Sequence, residues 1–211
     1  MTAEWLRGAT GNDANVSDVA RYWDEQASSF DEAPDHGLRD AAIRSAWASL
    51  LTPLMPPAPA RIADLGCGTG SLAILLAEAG HMVTGVDVAA GMITRARAKA
   101  AAAGVDADFE VGDAMTPPWP GARFDVVLAR HVVWALPDPA LGLGRWLEML
   151  KPSGRLVLIE GRWWTGAGLG ADELLALLHA HGRTASITPL PSADLWGGSI
   201  TDERYLLVSP P

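Results

Sequence analysis

The chain reads as a doubly wound α/β protein. Three observations say so. Between residues 61 and 160, short apolar runs alternate with stretches of helical spacing, the pattern of a parallel sheet with helices on both faces. The first of those runs ends in IADLGCGTG (residues 62–70), where an acid is followed by glycines at every second position. At 211 residues and 49% hydrophobic composition, the chain is long and apolar enough to cover such a sheet as one domain.

Taken in order, residues 1 to 16 read as a flexible leader. From Ser17, a candidate cap, Val19, Tyr22, Trp23, Ala27 and Phe30 recur on one helical stripe, which ends at a turn, Pro34 to Gly37. Ile43, Trp47, Leu50, Leu51 and Leu54 mark a second helix, stopped by the proline-rich TPLMPPAPA. Strands are expected at 61–65, 82–87, 107–111, 125–130, 155–160, 184–189 and 204–209. Helices are expected at 71–79, 90–103, 139–150 and 172–181.

The glycine loop indicates a ligand class. Gly66, Gly68 and Gly70 let the backbone pass close to a ligand just before a helix begins at Ser71. A dinucleotide fingerprint, GxGxxG, would need its third glycine where Ser71 stands, and it sets glycines rather than an acid against a pyrophosphate. Asp64 beside the loop repels phosphate but suits an ammonium group, a charge-assisted contact of about 1.5 to 3 kcal/mol. S-adenosylmethionine (SAM) carries such an ammonium and no phosphate.

DLGCGTG resembles motif I of the class I SAM-dependent methyltransferases, and the resemblance continues in order to Gly161. HMVTGVDV ends at Asp87, where that family presents an acid to the two ribose hydroxyls. EVGDA offers Asp113 and Ala114 at the adenine-edge position. FDVVLARHVVWALPDP and LKPSGRLVLIEG resemble the fourth and fifth strand segments. The likeness is greatest to the ubiquinone/menaquinone-type small-molecule methyltransferases. It implies a Rossmann-like seven-stranded sheet, order 3-2-1-4-5-7-6 with the last strand antiparallel. It also implies SAM as cofactor and S-adenosylhomocysteine (SAH) as product, with no metal. The cofactor residues so expected are Tyr22, Asp64, Gly66, Cys67, Gly68, Gly70, Asp87, Val88, Met92, Asp113, Ala114 and Arg130. Each motif alone also has a structural reading, as a tight turn or a helix cap.

In open parallel sheets the ligand lies beyond the carboxyl ends of the strands, where strand order reverses. With SAM over the first three loops, the acceptor falls to the loops after strands four and five and to the N-terminal helices. Candidate catalytic residues are His131, Glu160 and His36. His131 would take a proton near neutral pH, giving a rate that rises through the histidine pKa, or would only bond its neighbours. Glu160 would accept a proton or orient the acceptor, or pair with Arg162. His36 would act in a lid or in its turn. Trp23, Phe30, Trp134, Trp163, Asp194 and Trp196 are the candidate substrate-binding residues. Nine tryptophans against two tyrosines and three phenylalanines favour a planar aromatic or heterocyclic acceptor. Trp47 and Trp146 sit at core spacing.

Composition narrows partners. A net charge of −9 offers no field for nucleic acid. The segment after strand four, ARHVV, lacks the Pro-Pro-aromatic signature of DNA amino-methylation, and no Pro-Cys nucleophile is present. A nucleic-acid substrate is therefore a minor alternative. Another is a protein that uses SAM without consuming it, in rearrangement or decarboxylation. No apolar stretch approaches the roughly 18 residues of a spanning helix, the start lacks a secretory pattern, and one cysteine allows no internal disulfide. The expectation is a cytoplasmic protein, monomer or homodimer, with a small-molecule acceptor and no membrane partner. Residues 1–211 would form a single domain, with a helical lid at 1–56 and the core at 57–211.

Overall fold

The computed structural model describes residues 16–211. The expected leader, apart from Val16, lies outside the described residues. The helices are α1 (Val16–Gln26), α2 (Pro34–Gly37), α3 (Ala41–Leu51), α4 (Ser71–Glu78), α5 (Ala90–Ala103), α6 (Pro139–Glu148), α7 (Ala171–Ala180) and α8 (Ala193–Trp196). The strands are β1 (Arg61–Leu65), β2 (Met82–Asp87), β3 (Ala107–Val111), β4 (Phe124–Arg130), β5 (Leu150–Arg162), β6 (Ser186–Pro189) and β7 (Glu203–Ser209). They form one sheet in the order β3-β2-β1-β4-β5-β7-β6, as expected. β1 to β5 pair in parallel, and β7 is antiparallel to both β5 and β6.

Period-two alternation divides the core between the sheet's two faces. Ile62, Val126, Leu128, Val157, Ile159 and Leu206 pack with α3, α4 and α5. Ala63, Leu65, Val127, Ala129, Leu156, Leu158 and Leu207 pack with α6 and α7. Trp47 and Trp146 are fully buried, one in each layer, and each donates its indole N–H to a backbone carbonyl: Leu195 at 2.8 Å and Ala114 at 2.7 Å. Caps fix where helices begin. Asp40 accepts from Ala42 and Ile43 at the start of α3, and Asp138 accepts from Leu141 ahead of α6.

The structure departs from the expected elements at several points: α1 ends at Gln26 with Ser17 inside it rather than capping it, Phe30 lies in a separate 3-10 turn, α3 ends at Leu51 before a 3-10 turn to Leu54, and β6 begins at Ser186 rather than 184. The fifth strand is longer than 155–160 because Leu150 pairs with Phe124, with a register irregularity before Val126, so α6 ends at Glu148 rather than 150. In the segment joining β6 and β7, Ser192 caps the single turn α8, a feature too short to show hydrophobic periodicity.

The N-terminal elements are fastened to the core by side chains. Asp31, though buried, accepts from Thr69 Oγ1 at 2.5 Å and pairs with Lys99 at 3.0 Å. Asp24 accepts the Gly91 N–H at 2.6 Å, in the first turn of α5.

Candidate active site

β1 and β4 are adjacent, with Asp64 opposite Leu128 and Leu65 opposite Ala129, so the loops that follow them open onto one cleft of about 610 Å³. The loop after β1 requires glycine. Gly66 has φ +66°, and a Cβ there would stand 2.4 Å from Val132; Gly70 has φ +77°, and a Cβ would stand 2.9 Å from the Phe109 ring. Cys67 N–H bonds Val86 O at 2.9 Å, tying the loop to β2.

Three acids border this half of the cleft. Asp87 accepts from Gly68 N–H and Ala89 N–H, both at 2.9 Å. Asp113 accepts from Met115 N–H at 2.8 Å. Burial pushes the Asp64 carboxyl up to about 7, against the pull of the Arg130 guanidinium. Val88, Met92 and Ala114 complete the wall. Arg130, at the end of β4, donates to Asp35 O at 2.5 Å and lies 5.0 Å from the Trp47 ring.

The other half is assembled from separated segments. His131 takes φ 61°, an uncommon conformation for a non-glycine residue. Its N–H bonds Ile159 O at 2.8 Å, and its carbonyl accepts the Trp134 indole N–H at 2.9 Å. The imidazole sits edge-on to Trp163 at 5.2 Å and stacks towards Trp196 at 5.9 Å. Its Nε2 is buried with no partner among the described residues. Burial, then the charges of Arg130 and Arg204, hold this histidine well below its ordinary pKa, so it is neutral at pH 7. His36 stacks on Phe30 at 4.3 Å, and burial lowers its pKa to about 4 in spite of Asp35.

Some expected site residues lie elsewhere. Glu160 is fully buried and does not border the cleft. Its Oε1 accepts from Val132 N–H at 2.8 Å and Val133 N–H at 2.7 Å, so it secures the loop that carries His131. Burial raises its carboxyl to about 8, and Oε2 has no partner among the described residues. Arg162, the partner weighed for it, pairs with Glu173 instead. Tyr22 packs against Trp23 at 5.1 Å and is not part of the cleft wall. Asp194 is exposed outside the cleft, because α8 turns Trp196 inward and leaves the acid by the Ser192 cap. Gly70 faces Phe109 and Ala96 rather than the cleft.

Trp23, Phe30, His36, Trp134, Trp163 and Trp196 all border the cleft, joined by Arg204, Asp35 and Val132, which sequence reasoning passed over. Arg204 stands one residue into β7, at the end of the connection that carries the expected Trp196 to the cleft.

Comparison with known proteins decides the family. Residues 62–154 match a family described as a methyltransferase domain. The chain is 36% identical over 192 residues to the 27-O-demethylrifamycin SV methyltransferase of Amycolatopsis mediterranei, covering 82% of this chain and 67% of that protein. The chain belongs to the class I SAM-dependent methyltransferases. It is also 30% identical over 184 residues to a ubiquinone biosynthesis O-methyltransferase of Ralstonia nicotianae, covering 84% of this chain and 74% of the relative, which places it with the quinone-type group. Across eight curated relatives, the chain spans from 46% to 74% of their own length. A solved [4+2]-cyclase, SpnF, superimposes with a TM-score of 0.69 at 22% identity, covering 78% of this chain and 79% of that one, a likeness of fold.

The cleft fits this methyltransferase family's cofactor. A glycine loop that borders the cleft at Gly66 and Gly68, an acid secured at the end of β2 and a buried acid at the end of β1 suit SAM, and three acids on one wall disfavour a polyphosphate.

Proposed function

We propose that the protein transfers a methyl group from SAM to an oxygen or nitrogen of a small planar molecule, aromatic or heterocyclic, by in-line displacement, giving SAH. The observation that carries the reading is that one cleft is shared by two sets of residues. The glycine loop and acids of β1 to β3 share one space with walls of Trp23, Trp134, Trp163 and Trp196.

Within that space, Asp64 binds an ammonium, which offsets the burial that otherwise favours its protonated form. Asp87 and the glycine loop hold a ribose, and Asp113 with Ala114 meets an adenine edge. When bound, SAM supplies a methyl group already activated on a sulfonium. The tryptophan rings orient a planar acceptor and exclude water, which by alignment alone is worth several orders of magnitude in rate. His131, neutral and with a free Nε2, accepts the proton of an acceptor O–H or N–H.

The test is incubation with SAM and a panel of small aromatic and heterocyclic metabolites, quantifying SAH against product. SAH formed in equal amount with a methylated product supports the reading. A metabolite converted with no SAH would replace transfer by a non-consumptive use of the cofactor.

A further inference from the structure

The acceptor half of the cleft holds a cation that the proposed transfer leaves without a task. Arg204 stands on β7 opposite Gly161 of β5, one residue past Glu160, and borders the cleft. Its Nε and Nη2 are gripped by the two carboxylate oxygens of Asp202 at 3.0 and 3.2 Å. Its guanidinium lies 4.6 Å above the Trp196 ring and 6.0 Å from Trp163. Among the described residues, Nη1 has no hydrogen-bond partner.

His131 rests against the same two rings, and its buried Nε2 also lacks a partner. The box of Trp163 and Trp196 thus holds two nitrogens without a hydrogen-bond partner among the described residues: a charged donor fixed in orientation and open to solvent, and the buried nitrogen of a neutral imidazole. An acceptor that satisfies both has an anionic oxygen close to a hydroxyl on one planar frame. The acids of the cleft are placed to permit this. Asp64, Asp87 and Asp113 stand at the ends of β1, β2 and β3, and Asp35, the acid nearest His36, lies 3.6 Å from its Nε2. Asp202 is spent on the other two nitrogens of Arg204.

We infer that the methyl acceptor is an acidic planar compound, a hydroxylated aromatic acid or an acidic enol, whose anionic oxygen pairs with Arg204 between Trp163 and Trp196 while its hydroxyl faces His131. This rests on the methyltransferase reading above.

The experiment is calorimetric titration of the full chain with SAH, then of the SAH complex with salicylate, salicylamide and 2-hydroxybenzylamine, three planar phenols that differ in charge. Salicylate is expected to bind at least about tenfold more tightly than salicylamide, with the amine weakest. Arg204→Gln is expected to cancel that preference and Arg204→Lys to keep part of it, both with SAH affinity within about twofold of wild type. Equal binding of salicylate and salicylamide by the wild type, or binding of neither, would overturn the inference whatever the variants do. So would a preference that survives in Arg204→Gln. A fall in SAH affinity in that variant would instead assign Arg204 to the cofactor's carboxylate. Failure of the wild type to bind SAH would overturn the methyltransferase reading, and the inference with it.

Discussion

On the glycine-loop side of the cleft, the acids at the ends of β2 and β3 are satisfied by backbone amides of the surrounding loops. Asp87 accepts from Ala89 two residues on and from Gly68, and Asp113 accepts from Met115 two residues on. On the β4–β5 side, the His131 Nε2 is buried without a partner among the described residues. A polar atom left unsatisfied in a buried site costs about 1–3 kcal/mol, so the second half is under tension until something completes it. The first half is a socket formed in advance; the second gains its last hydrogen bond when an acceptor arrives.

The largest effect is expected from removing residues 1–34, which strips Trp23 and Phe30 from the acceptor half. SAH production should be lost while circular dichroism still reports a folded sheet, and SAM affinity should also fall, since Phe30 abuts Gly68. A truncated protein with full turnover would contradict a lid role and leave the second half complete without it.

His131→Ala should lower kcat by about 10² to 10⁴ fold with SAM affinity unchanged. The pH profile sharpens the point. Because burial and two arginines hold the His131 pKa well below its usual value, the base form is present throughout the ordinary histidine range. Wild-type kcat should therefore be flat there, rather than rising as the sequence alone suggests. A variant that changes only acceptor KM would reduce His131 to a wall residue.

Asp87→Ala should weaken SAM by about tenfold or more, about 1.5–3 kcal/mol, in titrations where NADH serves as the control ligand. It should also cost stability, because the N–H groups of Gly68 and Ala89 lose their acceptor. Unchanged SAM affinity, or tight NADH binding, would break the description of the formed half.

The smallest effect concerns Glu160. Its folded pKa, about 8, lies above the ordinary 4.5, so the folded state binds more protons than the unfolded state between those values. Stability is lost as pH rises through that window. Asp64, raised from 3.8 to about 7, adds a loss of the same sign. Glu160→Gln should flatten part of the fall in Tm between pH 4.5 and 8, leaving the share due to Asp64. An unaltered slope would show that the carboxyl carries no proton there.

The same division explains what could be read from the chain. β1 to β3 and their helices came through with boundaries right to within a residue, because buried runs, glycines and caps are local signals. The formed half of the cleft is one contiguous motif plus two strand-end acids, so most of its residues were legible too. The other half depends on meetings between distant residues. That Glu160 ends a strand was visible; that its carboxylate turns to the amides of Val132 and Val133 depends on where the β4 loop folds. Lys99 gives no hint in sequence of Asp31, nor Arg204 of Trp196, because no periodicity encodes a contact across the sheet's edge. Tyr22 and Trp23 share a stripe, and which ring reaches the cleft is decided by how α1 docks.

The left-handed backbone of His131 bears on how this cleft changes under mutation. A saturation library at position 131 would sort first by dihedral angle and only afterwards by chemistry. Glycine and asparagine tolerate that conformation, whereas valine, isoleucine and threonine resist it and would be lost as unstable protein before any assay. Alanine removes the imidazole and strains the turn together. Asparagine removes the imidazole and spares the turn, so the gap between the two variants measures what the backbone at this one residue contributes to holding the loop.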